Sequence, residues 1–131
     1  MDYLEEKHAQ LEQALKKWKE VLDMPFSDVS RDASIQRYEF SFELLWKVMK
    51  KYLNEIEGFE CNSPKSCFRE IRMPLELSDA DIETCISMTE DRNLSVHTYS
   101  EEMANNLYAK LPEYSRISKL IAKKIKEKAK I

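Results

Sequence analysis

Ile35-Gln36-Arg37-Tyr38-Glu39-Phe40-Ser41-Phe42-Glu43-Leu44-Leu45-Trp46-Lys47 opens the longest apolar pattern in the chain, and its period decides the fold class. Ile35, Tyr38, Phe42, Leu45, Met49, Leu53 and Ile56 recur mostly by three and four, while Phe40 and Trp46 widen the stripe. A strand would need alternation by two, so the pattern predicts a helix of about seven turns. Residues 25–30 read as the linker before it, and Gly58 as its stop.

The same period extends in both directions. Leu4, His8, Leu11, Leu15, Trp18 and Leu22 form a narrow seam on a first helix that ends near Asp23-Met24-Pro25. His8 reads there as a packing residue, because the spacing offers it no acidic or nucleophilic partner. Beyond Gly58, Asn62-Ser63-Pro64 opens a short third helix with Ser63 as N-cap and Pro64 as first helical residue, carrying Cys67, Phe68 and Ile71. Residues 74–79 read as a loop. A fourth helix is expected from about Ala80 to Asn93, with Ile82, Cys85, Ile86 and Thr89 on one side and Arg92 and Val96 continuing the track. Ser100, followed by Glu101 and Glu102, caps a fifth helix bearing Met103, Leu107 and Leu111. Pro112 is expected to kink or restart that helix before a final segment with Ile117, Leu120, Ile121 and Ile125.

The expected fold is therefore all-α: an up-and-down antiparallel bundle of four to five helices in one domain, residues 1–131. A chain of 131 residues can bury roughly two-thirds of its unfolded surface without staples. One glycine and four prolines are too few for the turns of a sheet protein. Cys61, Cys67 and Cys85 are odd in number and lack a Cys-x-x-Cys pair or a nearby histidine, so they read as reduced thiols, with neither a disulfide framework nor a metal site. The amino terminus has no basic region leading into an apolar run, and no segment approaches the roughly 18 apolar residues of a membrane span. A cytoplasmic protein without a membrane partner is expected.

Net charge is −3, but residues 119–130 hold six lysines against one glutamate, leaving −8 elsewhere. This basic tail reads first as a frayed, solvated last stretch of helix that complements the helix dipole. An acidic body suits a protein partner better than a polyanion.

Glu90-Asp91-Arg92-Asn93-Leu94-Ser95-Val96-His97-Thr98-Tyr99 carries the candidate chemistry. Arg92 offers a permanent planar cation for phosphate oxygens, and His97 can exchange a proton near neutral pH. Asn93 can hold a phosphate oxygen or orient His97, and Tyr99 adds a hydroxyl. Arg92 and His97 are five residues apart, about 140° around a helix, so they converge only if the helix ends between them or sites are shared across chains. The Ser100 cap supports such a break. The purely structural alternative gives Arg92 an ion pair with Asp91, Glu90 or Glu102 that ties the fourth helix to the fifth. Trp18, Trp46 and the pair Phe40 and Phe42 read as core or interface residues. Arg37, Lys47 and the lysine tail could join Arg92 in a basic groove if the fold brought them together.

Three pieces together resemble the HEPN superfamily, specifically the nucleotidyltransferase substrate-binding proteins that are also read as HepT-like toxins. They are residues 35–47, the Ser-Pro-led helix at residues 63–70, and an Arg-x4-His-x-Tyr signature matched by Arg92, His97 and Tyr99. Cys85 departs from the large aromatic expected there in many relatives. The resemblance implies a homodimer with two signatures near its interface, and a cognate nucleotidyltransferase partner, with a four-chain complex as one stoichiometry. It implies one of two functions. The leading expectation is a metal-independent endoribonuclease toxin that needs no cofactor, acts on RNA through Arg92 and His97, and is silenced when the partner transfers AMP to Tyr99. The alternative is a non-catalytic substrate-binding subunit of a two-component nucleotidyltransferase. Metal-free RNA cleavage needs a base, an acid and fixed positive charge, which two copies of His97 and Arg92 would supply.

Overall fold

The computed structural model describes residues 2–95 and 100–131. Its long helices are α1 (Tyr3–Leu22), α2 (Asp28–Tyr52), α4 (Asp79–Ser95) and α5 (Glu101–Ala129); a short α3 (Pro64–Ile71) bridges α2 and α4. No strand occurs among the described residues, as the periodicity predicts. Successive long helices reverse direction, which makes an up-and-down bundle in which α2 and α5 run parallel. Trp18 meets Tyr38 across α1 and α2, Arg31 meets Asn105 across α2 and α5, and Met88 meets Ser118 across α4 and α5.

Local chemistry explains the helix ends. Asp2 accepts from the Glu5 N–H at the start of α1. Ser27 and Ser30 form a reciprocal capping box, so α2 begins at Asp28, inside the stretch expected to be linker. Ser63 before Pro64 and Ser100, which accepts from the Met103 N–H, are N-caps as read from the sequence, and Ser66 completes a second capping box with Ser63. Gly58 stops the second helix with φ of 77°, but the last turn, Leu53–Glu57, is a π-helix and not a continuation of the α-helical ladder.

Three expectations are corrected here. Pro112 does not restart the helix: α5 runs unbroken through it for 29 residues. The proline forfeits one ladder hydrogen bond, while buried Leu111, Tyr114, Ser115 and Ile117 hold the helix on both sides. The lysine tail is not frayed either, since the helix continues to Ala129 and Lys130 closes it in a left-handed C-cap. Finally, Cys61 and Cys67 are joined in a disulfide, their Cα atoms 5.2 Å apart. The chain turns back at the Ser63 cap and brings the segment before α3 against its first turn. Cys85 alone is a free thiol among the three, fully buried on α4.

The core is organised around aromatic rings. Tyr38 is 0% exposed and packs between Trp18 of α1 and Tyr114 of α5, with ring centroids 5.8 Å away in both cases. Its hydroxyl donates to the Met88 carbonyl of α4 at 2.5 Å. Tyr114 donates to Asp91 Oδ2 at 2.5 Å, and Tyr52 donates to Glu57 in the π turn. His8 is buried as expected, with Nε2 2.7 Å from the Ala122 carbonyl. It does have an acidic partner: Glu12, one turn on, lies 3.3 Å from Nδ1. Arg31 is buried at the head of α2 and holds Asp32 at 2.9 Å, Asn105 at 3.0 Å and Glu101 at 3.5 Å, tying the first turns of α2 and α5 together.

Two measurements follow. Burial, assisted by neighbouring carboxylates, pushes the phenols of Tyr38, Tyr52 and Tyr114 above the ordinary tyrosine range. A pKa raised in the folded state gives stability that is intact below pH about 10 and is lost as pH rises beyond it. In an alkaline titration these three should stay neutral past pH about 10 and ionise only as helical circular dichroism collapses. Ionisation of all tyrosines in one step, with the helix intact, would contradict this packing. Burial likewise pushes the Cys85 thiol up to about 12. Alkylation at pH 8 should therefore label no thiol in the native protein, only Cys85 after unfolding without reductant, and all three cysteines after unfolding with reductant.

Candidate functional site

Arg92 sits in the last turn of α4, where helix register turns it toward α2. Its Nη1 lies 3.7 Å from Glu39 Oε2 and its Nη2 3.7 Å from Glu43 Oε1. Glu39 and Glu43 are one turn apart, so they present two carboxylates to one guanidinium. Both separations exceed hydrogen-bond length, which makes the contacts Coulombic, not directional. Nε is buried and has no hydrogen-bond partner among the described residues. Ser95 completes the group: its hydroxyl is 2.6 Å from Glu39 Oε2 and 2.9 Å from the Arg92 carbonyl. Asn93 is exposed beside it.

The partners of Arg92 differ from those expected. Asp91 faces the opposite way and takes Tyr114 at 2.5 Å and Lys110 at 3.2 Å; Glu90 reaches Lys65 at 4.0 Å; Glu102 is exposed in the first turn of α5, beside Glu101, which goes to Arg31. Arg92 thus binds α4 to α2, while Asp91 binds α4 to α5. His97 and Tyr99, the other two signature residues, lie outside the described residues. Glu39, Glu43 and Ser95 have no assigned role in the sequence reading. The available signal is the i,i+4 pair of acids on the polar flank of the long apolar stripe.

Lys47 and the lysine tail line separate grooves. Lys47 lines one groove, with Trp46 and Tyr3; Lys119, Lys123 and Lys126 of the tail line another, against Lys16 and Lys19 of α1; Arg92 lines neither. Trp18 and Phe42 are buried as core, whereas Phe40 is exposed and Trp46 half-buried. On the outer face of the α4 and α5 junction, Asp91, Leu94, Met103, Asn106, Leu107 and Lys110 bound a shallow cleft of about 150 Å³. Among the described residues, no group of three or more His, Cys, Asp or Glu side chains is placed to hold a metal ion, and no helix is long and apolar enough to cross a membrane.

A four-helix bundle with a bridging α3 and an arginine at the end of its third long helix places the chain in the class of small all-α bundles. Within that class, residues 1–127 match the family described as nucleotidyltransferase substrate binding protein like, and the chain belongs to it. A solved crystal structure of a protein from Thermus thermophilus is similar over 88% of this chain and 98% of its own, at 39% identity and a TM-score of 0.83. No curated protein gives a significant match.

The geometry around Arg92 predicts a sign for each substitution. Arg92→Ala should lower the urea-unfolding free energy by about 1 kcal/mol, since it leaves Glu39 and Glu43 to repel one another. Adding Glu39→Gln to Arg92→Ala should recover part of that loss. An Arg92→Ala protein as stable as the parent would show that the two long pairs contribute nothing.

Proposed function

We propose that this protein is the non-catalytic, substrate-binding subunit of a two-component nucleotidyltransferase, docking a catalytic partner through the region around the end of α4. The observation that carries this reading is the pair of carboxylates around Arg92. A ribonuclease needs uncompensated positive charge where the phosphate sits. Here the single guanidinium faces two glutamates, so the local balance is negative and an RNA backbone meets repulsion before it meets a cation. A partner protein bearing a basic side chain fits the same surface. Exposed Leu94 and Met103 beside the shallow cleft add apolar area of the kind buried in protein interfaces. The family description points the same way.

A second reading is favoured by one detail. The Arg92 guanidinium makes no directional hydrogen bond to either Glu39 or Glu43, so neither carboxylate holds Nη1 and Nη2 in a fixed geometry against an oxyanion. In that reading the chain is a HepT-like, metal-independent ribonuclease that works as a homodimer through Arg92 and His97. A nucleotidyltransferase antitoxin silences it by transferring AMP to Tyr99, within a complex of up to four chains.

Expression of the chain alone in cells, beside its Arg92→Ala and His97→Ala variants, separates the two. The subunit reading expects unimpaired growth and intact RNA in all three cases, with the chain co-purifying with a co-expressed nucleotidyltransferase from the same genome. Growth arrest with fragmented RNA, abolished by both substitutions, would replace it with the ribonuclease reading.

A further inference from the structure

The connector between the second helix and α3 is fastened by sulfur more than by packing. Cys61 and Cys67 are bonded across a sequence separation of six, and both are buried among side chains that include Phe42, Leu53 and Phe68. Around Cys61 the chain is otherwise open to solvent: Gly58, Phe59, Glu60 and Asn62 are all exposed, so Cys61 is the one buried residue of the connector 58–62. The backbone of that connector is tied at its start, where the Gly58 and Phe59 N–H groups donate to the Leu53 carbonyl at the π turn. The α3 side has fastenings of its own. Ser63 and Ser66 cap it around Pro64, Phe68 and Ile71 are buried, Lys65 reaches Glu90 of α4, and Arg72 pairs with Asp79.

We propose that Cys61 and Cys67 form a reversible redox latch: as a disulfide they fasten the connector 58–62 to α3, and as two thiols they let it leave the core while the bundle stays folded. Closure needs a disulfide of the glutathione class as oxidant. The thiolate of one cysteine attacks a sulfur of oxidised glutathione, forming a mixed disulfide and expelling one glutathione thiolate; the thiolate of the second cysteine then attacks the protein sulfur and expels the other. Two cysteine thiols are oxidised, one small disulfide is reduced to two thiols, and the two cysteine protons go to the leaving thiolates or to water. Opening is the same exchange in reverse. A bridge over six residues closes a short loop, so it restrains the unfolded chain less than a long-range bridge would, and the separate anchors of α3 keep the fold standing without it. Once the bond is broken, Cys61 offers the core a single small side chain. Against that stands the conformational freedom regained by the exposed residues around it, Gly58 among them. Because both sulfurs are buried, a reagent reaches them as the connector lifts, so exchange and opening are coupled. Glu60, Cys61 and Asn62 also form one wall of the groove that Tyr3, Trp46 and Lys47 line. The latch therefore holds that wall in the oxidised protein and releases it in the reduced one. The proposal does not rest on the subunit reading above.

The test equilibrates the isolated full chain, without denaturant, in mixtures of reduced and oxidised glutathione, starting from both the oxidised and the reduced protein. Samples are quenched with acid, unfolded and alkylated, and their thiols counted by mass. Cys85 contributes one thiol throughout and serves as the internal standard. The expected result is that the two remaining thiols appear and disappear together, with the same midpoint from either direction and unchanged helical circular dichroism. Amide hydrogen exchange over residues 59–62 should be roughly tenfold or more faster in the reduced protein than in the oxidised one, while α3 keeps its protection. Cys61→Ser should match the reduced protein, and the reduced parent supplies the same comparison should that variant fail to fold. A bridge that excess reduced glutathione leaves intact would overturn the proposal in favour of a permanent staple. Retention of glutathione on one cysteine in place of closure, equal exchange over residues 59–62 in the two states, or loss of helix on reduction would each overturn it as well.

Discussion

Tyr38 joins four helices through one buried phenol. Its ring stands between Trp18 of α1 and Tyr114 of α5, and its hydroxyl donates to the Met88 carbonyl of α4. By helix geometry that carbonyl also accepts the Arg92 N–H one turn further along, so the phenol fixes the rotation of α4 about its own axis. Fixing that rotation decides which way consecutive residues point. Arg92 goes to α2, where Glu39 is the immediate neighbour of Tyr38, and Asp91 goes to α5, where Tyr114 is the ring stacked on Tyr38. A buried hydroxyl without a partner would cost the fold more than the hydrogen bond gains, which makes this arrangement discriminating as well as stabilising.

Charge is sorted by the same frame. The negative side chains of α2 flank the end of α4, while the lysines of its C-terminal half face the amino terminus of α1, and the lysines of α5 face Lys16 and Lys19. The desolvated ammonium of Lys119, with Lys19 nearby, is held below the ordinary lysine range, a sign that like charges have been gathered there. The net charge of the chain therefore says little about any one surface. A weakly acidic protein can carry two basic grooves if each is compensated elsewhere.

The helices, their order and most of their ends are legible in the sequence because periodicity, Ser-Pro capping and a lone glycine act over a few residues. What is not legible depends on distance in space. Cys61 and Cys67 give no pairing signal, since an odd cysteine count and a spacing of six do not say whether the chain doubles back. Pro112 carries a local cost that only tertiary burial offsets. Arg92 stands out as the cation of interest, but its partners lie on a helix far away in sequence, and the nearby acids that composition favours are turned elsewhere by Tyr38 and Tyr114. Ser27 is hard to read as a cap because a serine at the third helical position, Ser30, completes the box in place of the usual acid or amide.

Ser95 is held to Glu39 of α2, and Glu101 is held to Arg31 of the same helix. These two fixing points are eight residues apart on a single rod, about 12 Å along its axis. The end of α4 and the start of α5 are thus referred to one helix, and the rod of α2 sets their spacing. A load that pulled either helix end away from the bundle would have to break its anchor on α2 first.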